Sequence, residues 1–416
     1  MKRRLLFLVS LLVPLCLAFG GPGAPAARAF ETPSAPPAAS ILPPDMLSGP
    51  NFSVDPAVAT DGYLYVYMLR TSFGDLRVAS TALLAKRIAE TAALAKMEQV
   101  NSLAQFGGGI VGKGEQTLQG AADLITNPLG TIGGAVTGVG RMFANIGRDL
   151  SSGNAGDGSA ASKILGVPQL KRQYAVQFGV DPYTANPLVQ KRLNELASAG
   201  AAGNITGSAL SALIPGGVGV AVSAAGTSAM LNDIDLTASP ESLAQGNLSR
   251  LGDMGVPSRT AALFIGNQVF TPTEQCRVVS SLAAMPGTGG KDALVRFLAD
   301  TDDPDVARFR MRMTGMYAGY AAKVSPISGF VDIGGHIAAM NAAGRLVLVF
   351  PTDCFFWTET NARIARAFAD FARRYPANGI EIWVSGKASR LFAEKLRAMG
   401  WRFHEDGALQ LLGEPY

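Results

Sequence analysis

Apolar and polar residues alternate near the start of the chain and then change to a helical period. Tyrosines occupy every second position from Tyr63 to Tyr67 with aliphatic residues between them, which predicts a β-strand with the tyrosines on one face. A turn at 72–75 would fold this strand back on residues 76–79 as a hairpin. From 80 to 105 the apolar residues recur at helical spacing, which predicts a long helix.

The last eighty residues alternate apolar runs with amphipathic helical patterns. The strand candidates are 346–350, 380–384, 401–404 and 409–412. The helix candidates are 358–374 and 387–399, the second ending at Gly400, as helices prefer. Apolar strands that alternate with helices indicate a parallel sheet with right-handed crossovers, so we expect a C-terminal β-α-β-α-β module.

Helix starts are readable through the middle of the chain. Asn186 precedes a proline, which is the signature of a capped first turn. Thr271 and Glu274 form a capping box, in which each side chain takes a free backbone amide of the other's residue. Asp303, again followed by proline, starts a pattern that runs to Lys323. We therefore expect mostly α-helix from 163 to 323.

Two segments of small residues leave an interpretation open. Gly130, Gly134 and Gly138 form a stripe without side chains if the segment is helical, a device by which helices pack closely in membranes. Residues 196–232 contain no charged side chain. Either segment could contact a membrane surface or an envelope protein, or both could belong to a loosely packed soluble domain. We favour the second interpretation, because glycine and alanine contribute little transfer free energy.

The first residues have the pattern of a cleavable secretory signal. Basic residues at 2–4 precede an apolar run at 5–19, and small residues stand at Ala27 and Ala29. We expect Sec-type export with cleavage between Ala29 and Phe30, and a mature protein that is periplasmic or secreted. The apolar run is short for an uncleaved anchor, and lipidation at Cys16 lacks the small residues that should precede it.

Removal of the leader makes the protein nearly neutral. The chain has 36 basic and 32 acidic residues, and Lys2, Arg3, Arg4 and Arg28 would leave with the signal. No basic surplus then remains for phosphates, so we expect no nucleic-acid partner. Cys276 and Cys354 would stay, either as a disulfide or, as we favour, as two buried thiols, because a chain of this size needs no staple.

Cofactor and metal motifs are missing. The glycines at 107, 109 and 112 have dinucleotide-fingerprint spacing, but a helix rather than a strand precedes them. Only two histidines occur, His336 and His404, without the spacing of a zinc motif. We expect no cofactor and no metal, and we take both histidines as ordinary surface or hydrogen-bonded residues.

One place for a catalytic site is the carboxyl edge of the C-terminal sheet. Thr352 and Asp353 follow the first strand, and Ser385 and Lys387 follow the second. An acid, two hydroxyls and a base could therefore converge where open α/β sheets bind ligands. The competing interpretation is that Ser385 caps a helix and Asp353 satisfies loop amides. We favour an exported cell-envelope protein that acts by contacts rather than by catalysis, with an enzyme at this edge as the alternative.

The expected fold class is α+β, predominantly α, with a Gly/Ala-rich helical middle and a small C-terminal α/β module. The predicted divisions are a signal at 1–29, a Pro-rich disordered linker at 30–57, a hairpin, long helix and Gly-rich segment at 58–150, a linker at 151–162, an α-helical region at 163–335 and the α/β module at 336–416.

Overall fold

The structure, a computed structural model, describes residues 30–107, 167–202, 234–375 and 377–416. The signal at 1–29, the glycine stripe, the linker at 151–162 and most of segment 196–232 lie outside the described residues. The described chain combines many helices with more than one β-sheet, which confirms a mixed α+β fold.

Residues 30–57, predicted as a disordered linker, are built into the fold. They form helices α1 (Ala38–Ile41) and α2 (Pro44–Leu47), followed by strands β1 (Ser48–Gly49) and β2 (Phe52–Val54). Ala38, Leu42 and Met46 are buried. The prediction is wrong because amino-acid composition does not show which residues pack against the rest of the fold. Pro44 stands in the first turn of α2, where a proline costs no hydrogen bond. The apolar residues of the segment pack into a cluster with the first sheet.

The first sheet is antiparallel and contains the expected hairpin. Its members after β2 are β3 (Ala59–Thr60), β4 (Tyr65–Thr71) and β5 (Leu76–Ala79), in the order β1-β2-β4-β3 with β5 also paired to β4. Alternation along β4 buries Tyr65, Tyr67 and Leu69 on one face. Helix α3 (Thr81–Gly107) follows directly, as the sequence pattern predicts.

Seven further helices form the middle of the described chain: α4 (Val167–Gln177), α5 (Pro187–Ala201), α6 (Pro240–Asp253), α7 (Ser258–Ile265), α8 (Pro272–Ala283), α9 (Lys291–Ala299) and α10 (Pro304–Lys323). The side chain of Asn186 accepts from the amide of Leu188 at the start of α5. Thr271 and Glu274 form the complete capping box of α8. Asp303 caps α10, which ends at Lys323.

The strands of the second sheet are β6 (Ile327–Asp332), β7 (Ile337–Asn341), β8 (Leu346–Phe350), β10 (Ile380–Val384) and β12 (Arg402–His404). Their order across the sheet is β12-β10-β8-β7-β6. β8, β10 and β12 are parallel, with α11 (Glu359–Arg374) and α12 (Arg390–Ala398) between them in the chain, whereas β6 and β7 are antiparallel additions. A small parallel pair, β9 (Cys354–Phe355) with β11 (Lys387–Ala388), continues beyond the carboxyl ends of β8 and β10.

Two sequence predictions need correction here. Ile327–Asp332 is a strand although 163–335 was expected to be helical, because pairing with β7 compensates for a short segment whose own pattern, interrupted by Gly329, is weak. Residues 409–412 were a strand candidate, but Ala408–Leu412 forms a short π-helix that packs against α10. There Gly319 of α10 lets the helix approach the carbonyl of Leu411, which an added Cβ would meet at 2.2 Å.

One apolar core joins the first sheet, the middle helices and the second sheet. Its members include Tyr63 before β4, Leu282 in α8 and Val347 in β8. Because these side chains share one cluster, the first sheet packs directly against the carboxyl edge of the second sheet, which we call the rim. Within the described ranges, no helix combines the length and the apolar character that crossing a bilayer requires.

Candidate functional site

Asp353 lies at the carboxyl edge of the second sheet and faces the first. One carboxylate oxygen accepts from the backbone amide of Tyr65 in β4 at 2.8 Å. The backbone amide of Thr81, the first residue of α3, donates to both oxygens at 3.1 and 3.2 Å. The carboxylate therefore accepts from an amide that has no partner within helix α3. The hydroxyl of Ser80, a residue with a positive φ of 96°, accepts from the amide of Leu83 in the same first turn.

Burial raises the pKa of Asp353 to about 6. Removal of water from the carboxyl group is the main cause, and the amides of Tyr65 and Thr81, which favour the charged form, counter it in part. A carboxyl group of this kind has the ionisation of a general base near neutral pH. Its oxygens, however, are already engaged by backbone amides.

Ser385 and Lys387 do not direct their side chains to the same point. The hydroxyl of Ser385 donates to the carbonyl of Thr352 at 2.7 Å. The ammonium of Lys387 pairs with Asp406 at 2.5 Å and stays exposed. The structure thus brings the backbones of the three candidates together through the β9 and β11 pair, while their side chains make separate structural contacts.

The close approach of these backbones depends on Gly386. Its amide donates to the carbonyl of Thr352 at 2.8 Å, and a Cβ at this position would lie 2.2 Å from the carbonyl oxygen of Asp353. The backbone segments at 352–353 and 385–386 are consequently in van der Waals contact at the rim.

A second region, which we call the basic cleft, has the open geometry that the rim does not. It is a cavity of about 250 Å³ between the first turns of α3 and α8, the middle of α10 and residues 413–416. Its charged lining residues are the cationic Lys86, Arg87, Arg277, Arg308 and Arg312 and the acidic Asp181, Glu274 and Glu414. Among these lining residues basic side chains outnumber acidic ones by two, and two of the basic ones, Arg87 and Arg308, pair with Glu90 and Asp305 outside the lining.

One wall of the basic cleft is tied together by Asp181. Its carboxylate accepts from the ammonium of Lys86 at 3.0 Å and from the hydroxyl of Thr273 at 2.6 Å. Burial opposes the charged form of Asp181, but Lys86 and the hydrogen bonds from Thr273 and Tyr183 outweigh it and lower its pKa below the ordinary value. Lys86 is therefore neutralised from within the fold.

Behind this wall lies a buried polar network centred on Glu90. Its carboxylate accepts from Arg87 at 2.6 Å, from Thr184 at 2.5 Å and from Asn186 at 2.8 Å. Glu90 is 1% exposed and Arg87 is 8% exposed. This network fixes α3 against the start of α5 and supports the position of the cleft wall.

The opposite wall carries Arg312 from α10 and Arg277 from α8. One terminal nitrogen of Arg312 donates to the carboxylate of Glu414 at 2.7 Å, and the other donates to the main-chain oxygen of Tyr416 at 2.6 Å. Burial lowers the pKa of Arg277, and Glu414 is the foremost of the carboxylates that counter this. Arg312 thus contacts residues 413–416 at two points, the side chain of Glu414 and the main chain of Tyr416.

The histidines and cysteines do not form a site among the described residues, where no group of three or more His, Cys, Asp or Glu side chains is placed to hold a metal ion. His404 stacks on Trp383 with ring centroids 4.0 Å apart. Burial, followed by Arg310, lowers the pKa of His336 to about 4, so this side chain is neutral at pH 7. Cys276 and Cys354 are buried free thiols in different clusters of the core, so the structure has no disulfide between them.

Sequence reasoning missed the basic cleft. One signal was present: Arg308 and Arg312 are four residues apart in a predicted helix and therefore share a face. The partners of that face come from α3, α8 and residues 413–416, which are remote in the sequence.

Comparisons with protein-family models, curated proteins and solved structures gave no match for this chain.

Proposed function

We propose that this chain is an exported cell-envelope protein that acts by binding a partner in the basic cleft rather than by catalysis. The observation that carries the proposal is the contrast between the two candidate regions. At the rim of the second sheet, Asp353, Ser385 and Lys387 are each engaged in structural contacts. The basic cleft instead combines an open volume with several arginine side chains in its lining.

Export is the part of the proposal that rests on the leader pattern at 1–29. Mass spectrometry of the protein from fractionated cells of its natural source tests it. We expect a mature protein that begins at Phe30 and is released with the periplasmic or secreted fraction. A peptide that retains Met1, recovered from the cytosol, contradicts export.

Binding is tested in intact cells with a photo-cross-linking amino acid placed at position 308, which lines the cleft, and at position 296 as the control. Arg296 lies on α9, is 65% exposed in its side chain and pairs with Asp292. We expect a discrete adduct from position 308 and none from 296. Equal labelling at both positions, or none at 308, contradicts a binding function for the cleft.

The alternative of an enzyme at the sheet rim has less support. The raised pKa of Asp353 is the observation in its favour, but a general base needs a carboxylate oxygen within reach of substrate. In this arrangement, Tyr65 and Thr81 engage both oxygens.

A further inference from the structure

Three cations of the basic cleft pair with acids outside residues 413–416, whereas Arg312 pairs with Glu414. Lys86 pairs with Asp181, Arg87 with Glu90, and Arg308 with Asp305. These pairs form without any contribution from residues 413–416, so they would persist if that segment left the cleft.

Arg312 instead pairs with Glu414. Arg312 binds its carboxylate directly, and the same carboxylate is the foremost charge acting on Arg277. The other acid of this wall, Glu274, already accepts from the amide of Thr271 in the capping box. Arg312 and Glu414 are only 17% and 18% exposed in their side chains. Loss of the carboxylate at position 414 with the segment still in place would therefore leave a largely desolvated guanidinium without its charged partner.

Arg312 binds both a side chain and the main chain of residues 413–416, as a residue that recognises a peptide does. Its two terminal nitrogens bind the carboxylate of Glu414 and, two residues further along the chain, the main-chain oxygen of Tyr416. Tyr416 packs against an apolar cluster that also receives Leu83 from the cleft wall. The cleft thus provides a polar contact for an acidic side chain, one for the backbone and an apolar contact for an aromatic ring.

Apart from the contacts with Arg312 and the apolar packing of Tyr416, residues 413–416 are attached through backbone hydrogen bonds to the π-helix. The amides of Gly413 and Glu414 donate to carbonyls of the π-helix at 3.1 and 3.3 Å, and Gly413 adopts a left-handed φ of 72°. Gly413 and Pro415 are exposed. A buried ion pair contributes little net stability once desolvation is counted, so exchange of this segment for a similar one has a small free-energy cost.

We propose that the basic cleft binds an acidic segment of a partner protein, a carboxylate followed two residues later by an aromatic side chain, and that residues 413–416 occupy the same site as a displaceable internal ligand. The inference rests on the proposed binding function and gives it a ligand class. Phosphate is the competing chemistry, because arginine pairs also bind phosphate.

Calorimetric titration of residues 30–416 with a blocked synthetic peptide of sequence GEPY tests the proposal. We expect weak binding to the natural sequence, because the internal segment competes at high effective concentration. The variant Glu414→Gln, which weakens the internal ligand, should bind the peptide about tenfold more tightly. A GQPY peptide should bind at least several-fold more weakly than GEPY to both proteins, because it lacks the carboxylate.

Two further variants separate the ligand site from folding. Arg312→Lys keeps the charge but loses the two-nitrogen geometry and should abolish the gain seen with Glu414→Gln when the two are combined. Arg296→Gln is the matched control outside the cleft and should bind as the natural sequence does. Thermal melts of each protein show that it is folded before titration.

Three outcomes overturn the inference: equal affinity for GEPY and GQPY, no tightening in Glu414→Gln, or inorganic phosphate that binds Glu414→Gln while the peptide does not. A cross-link at position 308 together with any of these would retain the proposed binding function and reject only the acidic-peptide ligand. Loss of the cross-link would reject the binding function itself.

Discussion

The carboxylate of Asp353 accepts a hydrogen bond from the backbone amide of Thr81, so a residue from the edge of the second sheet stabilises the start of helix α3. The two residues are 272 positions apart. The contact fixes the first turn of α3, which lines the basic cleft through Ala82 and Leu83. The rim of the second sheet therefore acts on the cleft by positioning one of its walls.

The pH dependence of stability should report the ionisation of Asp353. Its pKa is about 6 in the folded protein and about 4 when unfolded, so the folded state binds more protons between these values. Stability from this group is present at low pH and lost as pH rises through about 6, by about 2–3 kcal/mol in total. Other groups titrate in the same range, so the difference between the natural protein and Asp353→Asn is the informative quantity.

Chemical denaturation at a series of pH values measures this difference. Relative to Asp353→Asn, the natural protein should lose stability from pH 4 to pH 6.5. Asp370→Asn, an exposed acid on α11, is the matched control for the loss of a carboxyl group. A difference that stays constant with pH would show that Asp353 is not the titrating group.

Gly386→Ala should destabilise the protein, because the new Cβ would lie 2.2 Å from the carbonyl oxygen of Asp353 and the two loops would have to separate. We expect a loss of about 2–3 kcal/mol in the free energy of unfolding, as for other overpacked sites. Gly246→Ala is the control, since this helical glycine is exposed and its Cβ would meet nothing within 4 Å. That substitution should stabilise by up to about 1 kcal/mol, and equal effects at both sites would contradict the close approach.

Glu90→Gln should remove the charge that compensates Arg87 inside the protein. Breaking one partner of a buried ion pair costs about 3–5 kcal/mol, because the remaining charge has no equivalent solvation. Glu98→Gln on the same helix is the control: Glu98 is half exposed and pairs with Arg192, so the change should be within about 0.5 kcal/mol. Urea denaturation of both variants measures the effect, and a loss below about 1 kcal/mol for Glu90→Gln would refute the buried network.

Cys276 and Cys354 should both react as free thiols. The mature protein, denatured without reductant, should take up two equivalents of a thiol reagent, whereas the folded protein should react slowly, because both side chains are buried. Burial also raises the pKa of both thiols, which lowers the reactive thiolate fraction. Uptake of reagent only after reduction would demonstrate a disulfide.

Local sequence determined many elements of this fold. The caps at Asn186, Thr271 and Asp303 depend on side-chain to backbone hydrogen bonds within three residues, and a contact of that kind is readable without knowledge of the rest of the molecule. The apolar runs at Leu346–Phe350 and Ile380–Val384 predicted strands, because a short segment that is buried on both faces has an apolar residue at nearly every position.

Only the tertiary structure decided where the polar side chains point. The sequence predicted Asp353, Ser385 and Lys387 at one sheet edge, but each side chain is hydrogen-bonded elsewhere. Asp353 accepts from the amides of β4 and α3, Ser385 donates to Thr352 and Lys387 donates to Asp406. The ordered packing of residues 30–57 and the basic cleft likewise come from contacts between segments far apart in the chain. Such contacts depend on how elements pack, and no residue pattern within one element specifies its distant neighbours.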